Sequence, residues 1–587
     1  MFNPDRVTYF AATDSRGKRI PFGLKAKDRQ RHMYVIGKTG MGKSTLLENM
    51  AIQDLQNGEG LAFIDPHGSA IETLLEYIPK DRVKDVVYFA PFDMENPIAF
   101  NVMEDVGYDK RHLVVSGLMA TFKKIWEDAW SARMEYILTN TLLALLEYPD
   151  ATLLGVNRMY TDKAYRAKVV DNVKDPVVKD FWTKEFAGYT DRFTQEATPA
   201  IQNKIGQFTG NPLIRNIIGQ PKSSFDIREL MDNNKILLIN LSKGLVGDTN
   251  MRLLGSMLVT RIFLAAMSRA ELNPTELKKA EQFYLYVDEF QNFANDTFSE
   301  ILSEARKYSL NLIIAHQYVE QMEEQVRAAV FGNVGTTVAF RVGPFDAETL
   351  ETIFTPEFLK EDLVNLGFAQ VYLTLMIDGV GSRPFSAVTL PPIEPPKISY
   401  REEVIANSRA QFGAPREKIE SAIFAELAEM QAAAEPAPKK APMRDGPRRE
   451  GGQGGGQSGQ GGGYGSQGGN QGGAPRADRP RRQDDNRPSG SPSAERNTAP
   501  REQREPRPVR EERERPDPQQ NTKTAEDLKS ILRGMTDGAK KDEGKKGTKE
   551  EAPPLKGALA DVLSRSDMKP ASAVPAAEPA PKPKAEK

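Results

Sequence analysis

The chain has 587 residues and a mass of 65.2 kDa, which is enough for several domains, and its net charge of −2 gives no overall nucleic-acid signature. It contains no cysteine and only four histidines, which excludes disulfides, thiolate metal sites and a cysteine nucleophile, and argues against a histidine-rich metal site. The N-terminus lacks the apolar core of a signal peptide, and no later run approaches the roughly 18–20 apolar residues of a membrane span. We therefore expect a cytoplasmic protein without a transmembrane segment, peripheral at the inner face of the cell membrane only through partners.

Apolar runs without clean alternation predict buried strands, and helical stretches separate many of them. This pattern predicts an α/β fold with a mostly parallel sheet between layers of helices. The runs are MYVIG (33–37), GLAFID (60–65), VVYFA (86–90), KILLINL (235–241), FYLYVD (283–288), NLIIAH (311–316), TTVAFRV (336–342) and QVYLTLMI (370–377).

More than a hundred residues between VVYFA and KILLINL show helical periodicity and few strand signals. A loop of that length without structure of its own would be abnormal. We therefore predict an all-α domain at 105–228, inserted into an α/β domain that comprises 1–104 and 229–398.

The composition changes near Tyr400. We predict a helical extension at 399–435, with one helix at Arg416–Ala434, followed by a disordered Gly/Gln/Pro/Arg-rich tail at 436–587 because its apolar content is too low to offset the ordering entropy. Two tail segments, 525–537 and 555–567, have apolar residues at helical spacing, typical either of a duplicated docking helix or of chance. The arginines of the tail could contact DNA or RNA weakly, or the tail could be a solubilising tether.

The segment GKTGMGKS matches GxxxxGK[ST] between a predicted strand and a predicted helix. In such a loop, backbone N–H groups surround phosphate oxygens and the helix N-terminus favours negative charge. We predict that the lysine reaches the β- and γ-phosphates of ATP and that the serine hydroxyl ligates Mg²⁺. The predicted nucleotide-binding residues are Gly37, Lys38, Thr39, Gly40, Met41, Gly42, Lys43, Ser44 and Thr45.

A second motif, FYLYVDEF, delivers two carboxylates at the end of a buried strand. We predict that Asp288 holds Mg²⁺ and that Glu289 orients or deprotonates the attacking water. This pair favours hydrolysis over phosphotransfer to a small acceptor. The helical insertion accounts for the long separation between Lys43 and Asp288.

Other polar residues are weaker candidates. Gln317 follows the strand NLIIAH, where its side chain could sense the γ-phosphate. Asp65 and His67, in FIDPHG, either contact nucleotide or DNA or form a turn. The arginines that could stabilise transition-state charge, within one subunit or across an interface, are Arg306, Arg327 and Arg341.

The ordered set RHMYVIGKTGMGKSTLLENM, GLAFIDPHG, FYLYVDEFQNF, SEARKYSLNLIIAHQ and GTTVAFRVG resembles the HerA/FtsK superfamily of DNA-pumping ATPases. Within it, the chain looks like the coupling proteins of type IV secretion and conjugation. The resemblance covers about residues 20–395 and implies a RecA-like core and a hexameric ring that threads DNA without reading its sequence. It also implies an all-α domain that recognises the transferred DNA–protein substrate.

Carried over by position, the resemblance implies that Lys43, Ser44, Asp288 and Glu289 form the ATPase site and that Gln317 is its strand-end sensor. It makes Arg306 the best match to the charge-stabilising arginine. Relaxase or secretion-system partners would dock on the all-α domain or on the tail.

Two alternatives stay open at this point. One is an ATPase that moves protein cargo in secretion or pilus assembly, and the other is a scaffold that uses nucleotide only as a switch. DNA-stimulated hydrolysis separates the leading hypothesis, an ATP-driven DNA translocase, from both.

Overall fold

The protein was analysed as a computed structural model, which describes residues 3–14 and 17–434. The described part contains thirteen strands. They are β1 (Val7–Thr13), β2 (Pro21–Lys25), β3 (Met33–Ile36), β4 (Gly60–Asp65), β5 (Val86–Phe89), β6 (Ile236–Asn240), β7 (Phe283–Val287), β8 (Leu310–His316), β9 (Thr336–Ala339), β10 (Gln370–Thr374), β11 (Met376–Ile377), β12 (Val380–Gly381) and β13 (Phe385–Thr389).

Eleven of these strands form one sheet in the order β2-β1-β13-β10-β9-β3-β8-β7-β4-β6-β5. The seven strands from β9 to β5 are parallel, and β10, β13, β1 and β2 extend the sheet with antiparallel pairs. The predicted mostly parallel sheet is confirmed, and each of the eight apolar runs overlaps a strand. The separate pair β11–β12 divides the run QVYLTLMI, because the chain leaves the main sheet after Thr374.

Helices connect the parallel strands and flank the sheet. They are α1 (Ala26–Arg29), α2 (Lys43–Gln56), α3 (Ser69–Glu76), α4 (Arg111–Ile125), α5 (Ala132–Glu147), α6 (Leu154–Thr161), α7 (Lys163–Asn172), α8 (Pro176–Asp180), α9 (Asp191–Thr209), α10 (Pro212–Ile218), α11 (Ile227–Asp232), α12 (Lys243–Val246), α13 (Asp248–Met267), α14 (Pro274–Leu277), α15 (Asp296–Glu304), α16 (Glu324–Asn333), α17 (Pro344–Phe354), α18 (Lys360–Val364), α19 (Arg401–Phe412) and α20 (Arg416–Ala434).

The two faces of the sheet bury separate hydrophobic cores, because successive side chains of a strand point to opposite faces. On β3, Tyr34 and Ile36 belong to one core and Met33 and Val35 to the other. Helices α2, α3 and α19 cover the second face. The first face is covered by α4 and α13, and its core continues without a break into helices α5 to α10.

The region predicted to be an all-α insertion contains helices and turns, with no strand between Phe89 and Ile236, a range that is described throughout. Its helices share the hydrophobic core of one sheet face. The boundaries 1–104, 105–228 and 229–398 stay predictions, since no break in packing marks them.

The C-terminal helices of the described part pack against both the sheet edge and the insertion. Helix α19 lies against β5, and α20, at the predicted bounds Arg416–Ala434, lies against α10 and α7. Asn216 Nδ2 donates to Glu420 Oε1 at 3.0 Å, which fixes α20 to the insertion. The tail predicted at 436–587, with its segments 525–537 and 555–567, lies outside the described residues.

One helical stretch in the described part, Asp248–Glu271, is long and apolar enough to cross a membrane, and most of it is buried inside the fold. By the criteria of length and composition alone, this stretch contradicts the expectation that no run approaches membrane-spanning length. Arg252 and Arg261 interrupt the apolar residues of this stretch and conceal it in the sequence.

Candidate active site

The loop between β3 and α2 forms the phosphate-loop conformation that the motif predicts. Gly40 and Gly42 have φ values of 76° and 111°, which L side chains rarely adopt, and α2 begins directly after Gly42. The first backbone N–H groups of α2 therefore face the loop, where they suit an anion.

Lys43 is 5% exposed, and its ammonium lies within the loop. Lys43 Nζ donates to the carbonyl oxygen of Gly37 at 2.8 Å and of Lys38 at 3.5 Å. Burial lowers the pKa of Lys43, and the charges of Glu289 and Asp288 act in the opposite direction. The lysine is thus held at the position where a phosphate would need a cation.

The carboxyl end of β7 contributes the predicted acidic pair. Asp288 directly follows β7, and its Oδ2 accepts a hydrogen bond from Ser44 Oγ at 2.9 Å. The structure therefore brings together the two side chains that were predicted to share Mg²⁺. Both are oxygen ligands, which Mg²⁺ prefers.

Strand β8 lies between β3 and β7 and carries Gln317 directly after its last residue. Gln317 Nε2 donates to Glu289 Oε1, and Gln317 Oε1 accepts from Thr39 Oγ1 at 3.0 Å. One side chain therefore connects the phosphate loop to the acidic residue that follows Asp288. Glu289 itself is 5% exposed and has a left-handed backbone, with φ 46° and ψ 50°.

Burial and neighbouring carboxylates raise two pKa values at this site. Burial, followed by the charges of Glu289 and Asp65, raises the pKa of Asp288 to about 6. Burial, followed by the charges of Asp65 and Asp288, raises the pKa of Glu48 to about 7. Lys43 is the cation that acts on Asp288, so the charges around the site favour a divalent cation that shares its ligands with phosphate.

No group of three or more His, Asp or Glu side chains in the described residues could hold a metal ion alone. Mg²⁺ does not need such a group, because it usually binds through one or two protein oxygens together with water and phosphate oxygens.

Backbone hydrogen bonds connect other residues of the loop to neighbouring segments. Lys38 N donates to the carbonyl oxygen of Arg341 at 2.9 Å, and the carbonyl oxygen of Met41 accepts from Ala369 N at 3.3 Å. Thr45 lies in the first turn of α2, one residue after Ser44.

The candidate arginines lie at different edges of the sheet. Arg306 is exposed and precedes β8, so it lies at the amino edge, whereas Gln317 follows the same strand at the carboxyl edge. Seven strand residues at ~3.3 Å each separate the two edges by about 20 Å. The structure thus does not bring Arg306 to the site of its own chain. Its predicted role stays open only across a subunit interface.

Arg341 follows β9 at the carboxyl edge, beside the phosphate loop, and its buried Nε has no hydrogen-bond partner within the described part of the chain. Arg327 lies in α16, also beyond the carboxyl end of β8, and is half-buried. Asp65 accepts from His67 N at 2.7 Å and from Ala70 N at 2.8 Å, so its carboxylate stabilises a turn.

Two further residues interact with the site and were not among the predicted ones, Gln291 and Glu48. Gln291 Nε2 donates to Glu289 Oε2 at 2.8 Å, a contact that depends on the left-handed turn at Glu289. The position of Glu48 could have been inferred, because it lies four residues after Ser44 on α2 and therefore on the same face of the helix.

A family profile described as the type IV secretion-system coupling protein DNA-binding domain matches residues 19–355, more than half of the chain. The chain belongs to this family. The resemblance inferred from the ordered motifs is therefore confirmed. A search of curated proteins finds no match.

Several solved structures are similar to this coupling-protein chain. Plasmid coupling protein TrwB in complex with the GTP analogue GDPNP has 16% identity and a TM-score of 0.48, covering 67% of this chain and 91% of its own. TrwB with ADP and Mg²⁺ has 16% identity and a TM-score of 0.48, covering 68% and 98%. VirB4 of Thermoanaerobacter pseudethanolicus has 13% identity and a TM-score of 0.42, covering 68% and 99%.

Proposed function

We propose that this coupling-protein family member is an ATP-hydrolysing motor that translocates DNA in conjugation or type IV secretion. The observation that carries the proposal is the side-chain connection Thr39–Gln317–Glu289. It links the loop that would hold phosphate to the carboxylate that would act on water. A binding module without turnover would have no need of that carboxylate.

In this proposal the loop from Gly37 to Thr45 binds the phosphates of ATP, and Lys43 offsets their charge. Ser44 and Asp288 would hold Mg²⁺, which would supply charge neutralisation to the phosphate oxygens. Glu289 accepts a proton from the water that attacks the γ-phosphorus, as the bond from that phosphorus to the bridging oxygen of ADP breaks. Gln317 reports the γ-phosphate to Glu289 through Thr39.

We also propose a hexameric ring in which an arginine of one subunit completes the site of the next. Arg306 suits that role because it is exposed at the amino edge, away from its own site. DNA would pass through the ring without base-specific contacts. The insertion 105–228 and the tail 436–587 would receive relaxase or secretion-system partners, which would also place the cytoplasmic motor at the membrane.

The test is steady-state ATP hydrolysis by the full chain, without DNA and with single- or double-stranded DNA. We expect several-fold stimulation by one DNA form and loss of hydrolysis in Lys43→Ala. The matched control is Lys278→Ala, which removes an exposed lysine that follows α14 and precedes β7, the strand whose opposite end carries Asp288. Robust hydrolysis that ignores both DNA forms would contradict the DNA motor and favour protein cargo. Slow hydrolysis unchanged by DNA would favour a nucleotide-switched scaffold.

A further inference from the structure

The carboxylate of Glu289 is held from both sides by side-chain amides. Gln317 Nε2 donates to Oε1, and Gln291 Nε2 donates to Oε2 at 2.8 Å. A carboxylate oxygen accepts more than one hydrogen bond, so both contacts leave capacity for a water molecule. The two amides therefore fix the direction of the carboxylate without consuming its function.

The two amides differ in what else they contact. Gln317 also accepts a hydrogen bond from Thr39 of the phosphate loop, so its position depends on that loop. Gln291 belongs to the 3₁₀ turn Phe290–Asn292, which begins directly after Glu289. Its contact spans only two residues and is independent of the phosphate loop.

The backbone explains how such a short contact forms. Glu289 has φ 46° and ψ 50°, a conformation that costs free energy for a residue other than glycine. This left-handed turn reverses the chain, so that the side chain of Gln291 lies against the side chain of Glu289. Asn292 Nδ2 donates to the carbonyl oxygen of Glu289 at 3.1 Å and supports the same turn.

The other end of the Gln291 amide shows which contact sets the orientation of this side chain. Its Oε1 is buried and has no hydrogen-bond partner among the residues that the structure describes. Since an ionised carboxylate only accepts hydrogen bonds, the NH₂ group must face Glu289 and the amide oxygen must face the protein. A buried acceptor without a partner costs free energy. The orientation is thus set by the contact with Glu289.

We infer that Gln291 is a positioning residue that holds the Glu289 carboxylate in the direction needed for attack of water on ATP. The inference rests on the proposed hydrolysis and adds a residue to that site. Gln291 contacts Glu289 independently of the phosphate loop, whereas the contact of Gln317 with Glu289 depends on that loop.

The experiment compares basal ATP hydrolysis and binding of a fluorescent ATP analogue in the full chain. Gln291→Ala should lower kcat by about tenfold to a hundredfold, the loss expected for one hydrogen bond to a charged group, and leave nucleotide affinity within about twofold. Gln291→Glu, which keeps the shape and removes the donor, should lower kcat at least as much. The matched control is Gln325→Ala, an exposed glutamine in α16, which should leave both values unchanged.

Replacing Gln291 in a chain that already carries Glu289→Gln distinguishes a positioning role from a general structural effect. Because Gln291 acts through Glu289, Glu289→Gln/Gln291→Ala should hydrolyse ATP no more slowly than Glu289→Gln alone. An unchanged kcat in both Gln291 variants, or an equal further loss in the Glu289→Gln background, would overturn the inference.

The inference and the proposed function fail differently. If ATP hydrolysis depends on Gln291 but is not stimulated by DNA, the DNA motor is contradicted and the inference about Gln291 is supported. If DNA stimulates hydrolysis and the Gln291 variants hydrolyse ATP as the wild type does, the DNA motor is supported and the inference about Gln291 is contradicted. A wild-type chain that binds but does not hydrolyse ATP would contradict both.

Discussion

Replacement of Asp54 tests how the far end of α2 is held against β7, the strand that leads to the acidic pair. Asp54 and Arg29 are fully buried, and their side chains make two hydrogen bonds, at 2.6 and 2.8 Å. The hydroxyl of Tyr286, on β7, donates to Asp54 at 2.6 Å. Arg29 also donates to Thr8 and lies 3.7 Å from the ring centre of Tyr284.

Asp54→Ala would leave the Arg29 guanidinium buried without its counter-charge. Breaking a buried ion pair by removing one partner costs about 3–5 kcal/mol, far more than the loss of an exposed pair. We therefore expect the free energy of unfolding to fall by about that amount. Replacing both partners, in Arg29→Met/Asp54→Leu, should restore much of the loss, because no unpaired charge is then buried.

The assay is urea unfolding of the full chain, followed by far-ultraviolet circular dichroism. The matched control is Glu271→Ala, since the Glu271 carboxylate pairs with Lys110 at an exposed position. It should change the free energy of unfolding far less than Asp54→Ala does. A loss below about 1 kcal/mol for Asp54→Ala, or a double variant less stable than the single one, would refute the reasoning.

Three further predictions follow from single contacts. Burial lowers the pKa of His32 from 6.5 to about 4. The neutral ring therefore contributes stability at pH 7 that is lost as the pH falls from 6.5 to about 4. Between pH 7 and 4.5, the urea midpoint of His32→Asn should fall less than that of the wild type. A Cβ at Gly37 would lie 2.5 Å from Phe340 Cβ, so Gly37→Ala should weaken binding of a fluorescent ATP analogue at least about tenfold. Lys124 Nζ donates to the carbonyl oxygen of Ala294, which connects α4 to the segment after the acidic pair. Lys124→Met should therefore lower the rate of basal ATP hydrolysis by about threefold to tenfold, the loss expected for one hydrogen bond.

Each of these variants has a matched control in the chain. His112→Asn replaces an exposed histidine, Gly332→Ala adds a Cβ that meets no atom within 4 Å, and Lys123→Met removes the exposed neighbour of Lys124. The reasoning would be wrong where a variant and its control behave alike.

Much of the sheet could be predicted because buried parallel strands appear in the sequence as apolar runs. The same rule missed β1, β2 and β13, which extend the sheet with antiparallel pairs and include half-buried or exposed positions. The sequences of β2 and β13 therefore lack a continuous apolar run, and that of β1 has only the four residues 9–12. The helices of the insertion followed from periodicity, but their shared core with the sheet depends on packing.

Some residues of the site could likewise be predicted from the sequence, and others could not. Lys43, Ser44 and Asp288 could be placed because each belongs to a motif at the end of a strand. The carboxyl ends of parallel strands lie at one edge, and the same rule applied to Arg306 would have placed it at the opposite edge. The role of Gln291 could not be predicted, because it requires the left-handed turn at Glu289.

The proposed function requires that ATP hydrolysis at this site moves DNA. The most direct measurement is displacement by the full chain of a third strand from triplex DNA, and of streptavidin from biotinylated single-stranded DNA, with ATP and Mg²⁺. We predict displacement on the DNA form that stimulates hydrolysis, and none with Glu289→Gln. Hydrolysis of ATP on bound DNA without displacement from either substrate would contradict the account.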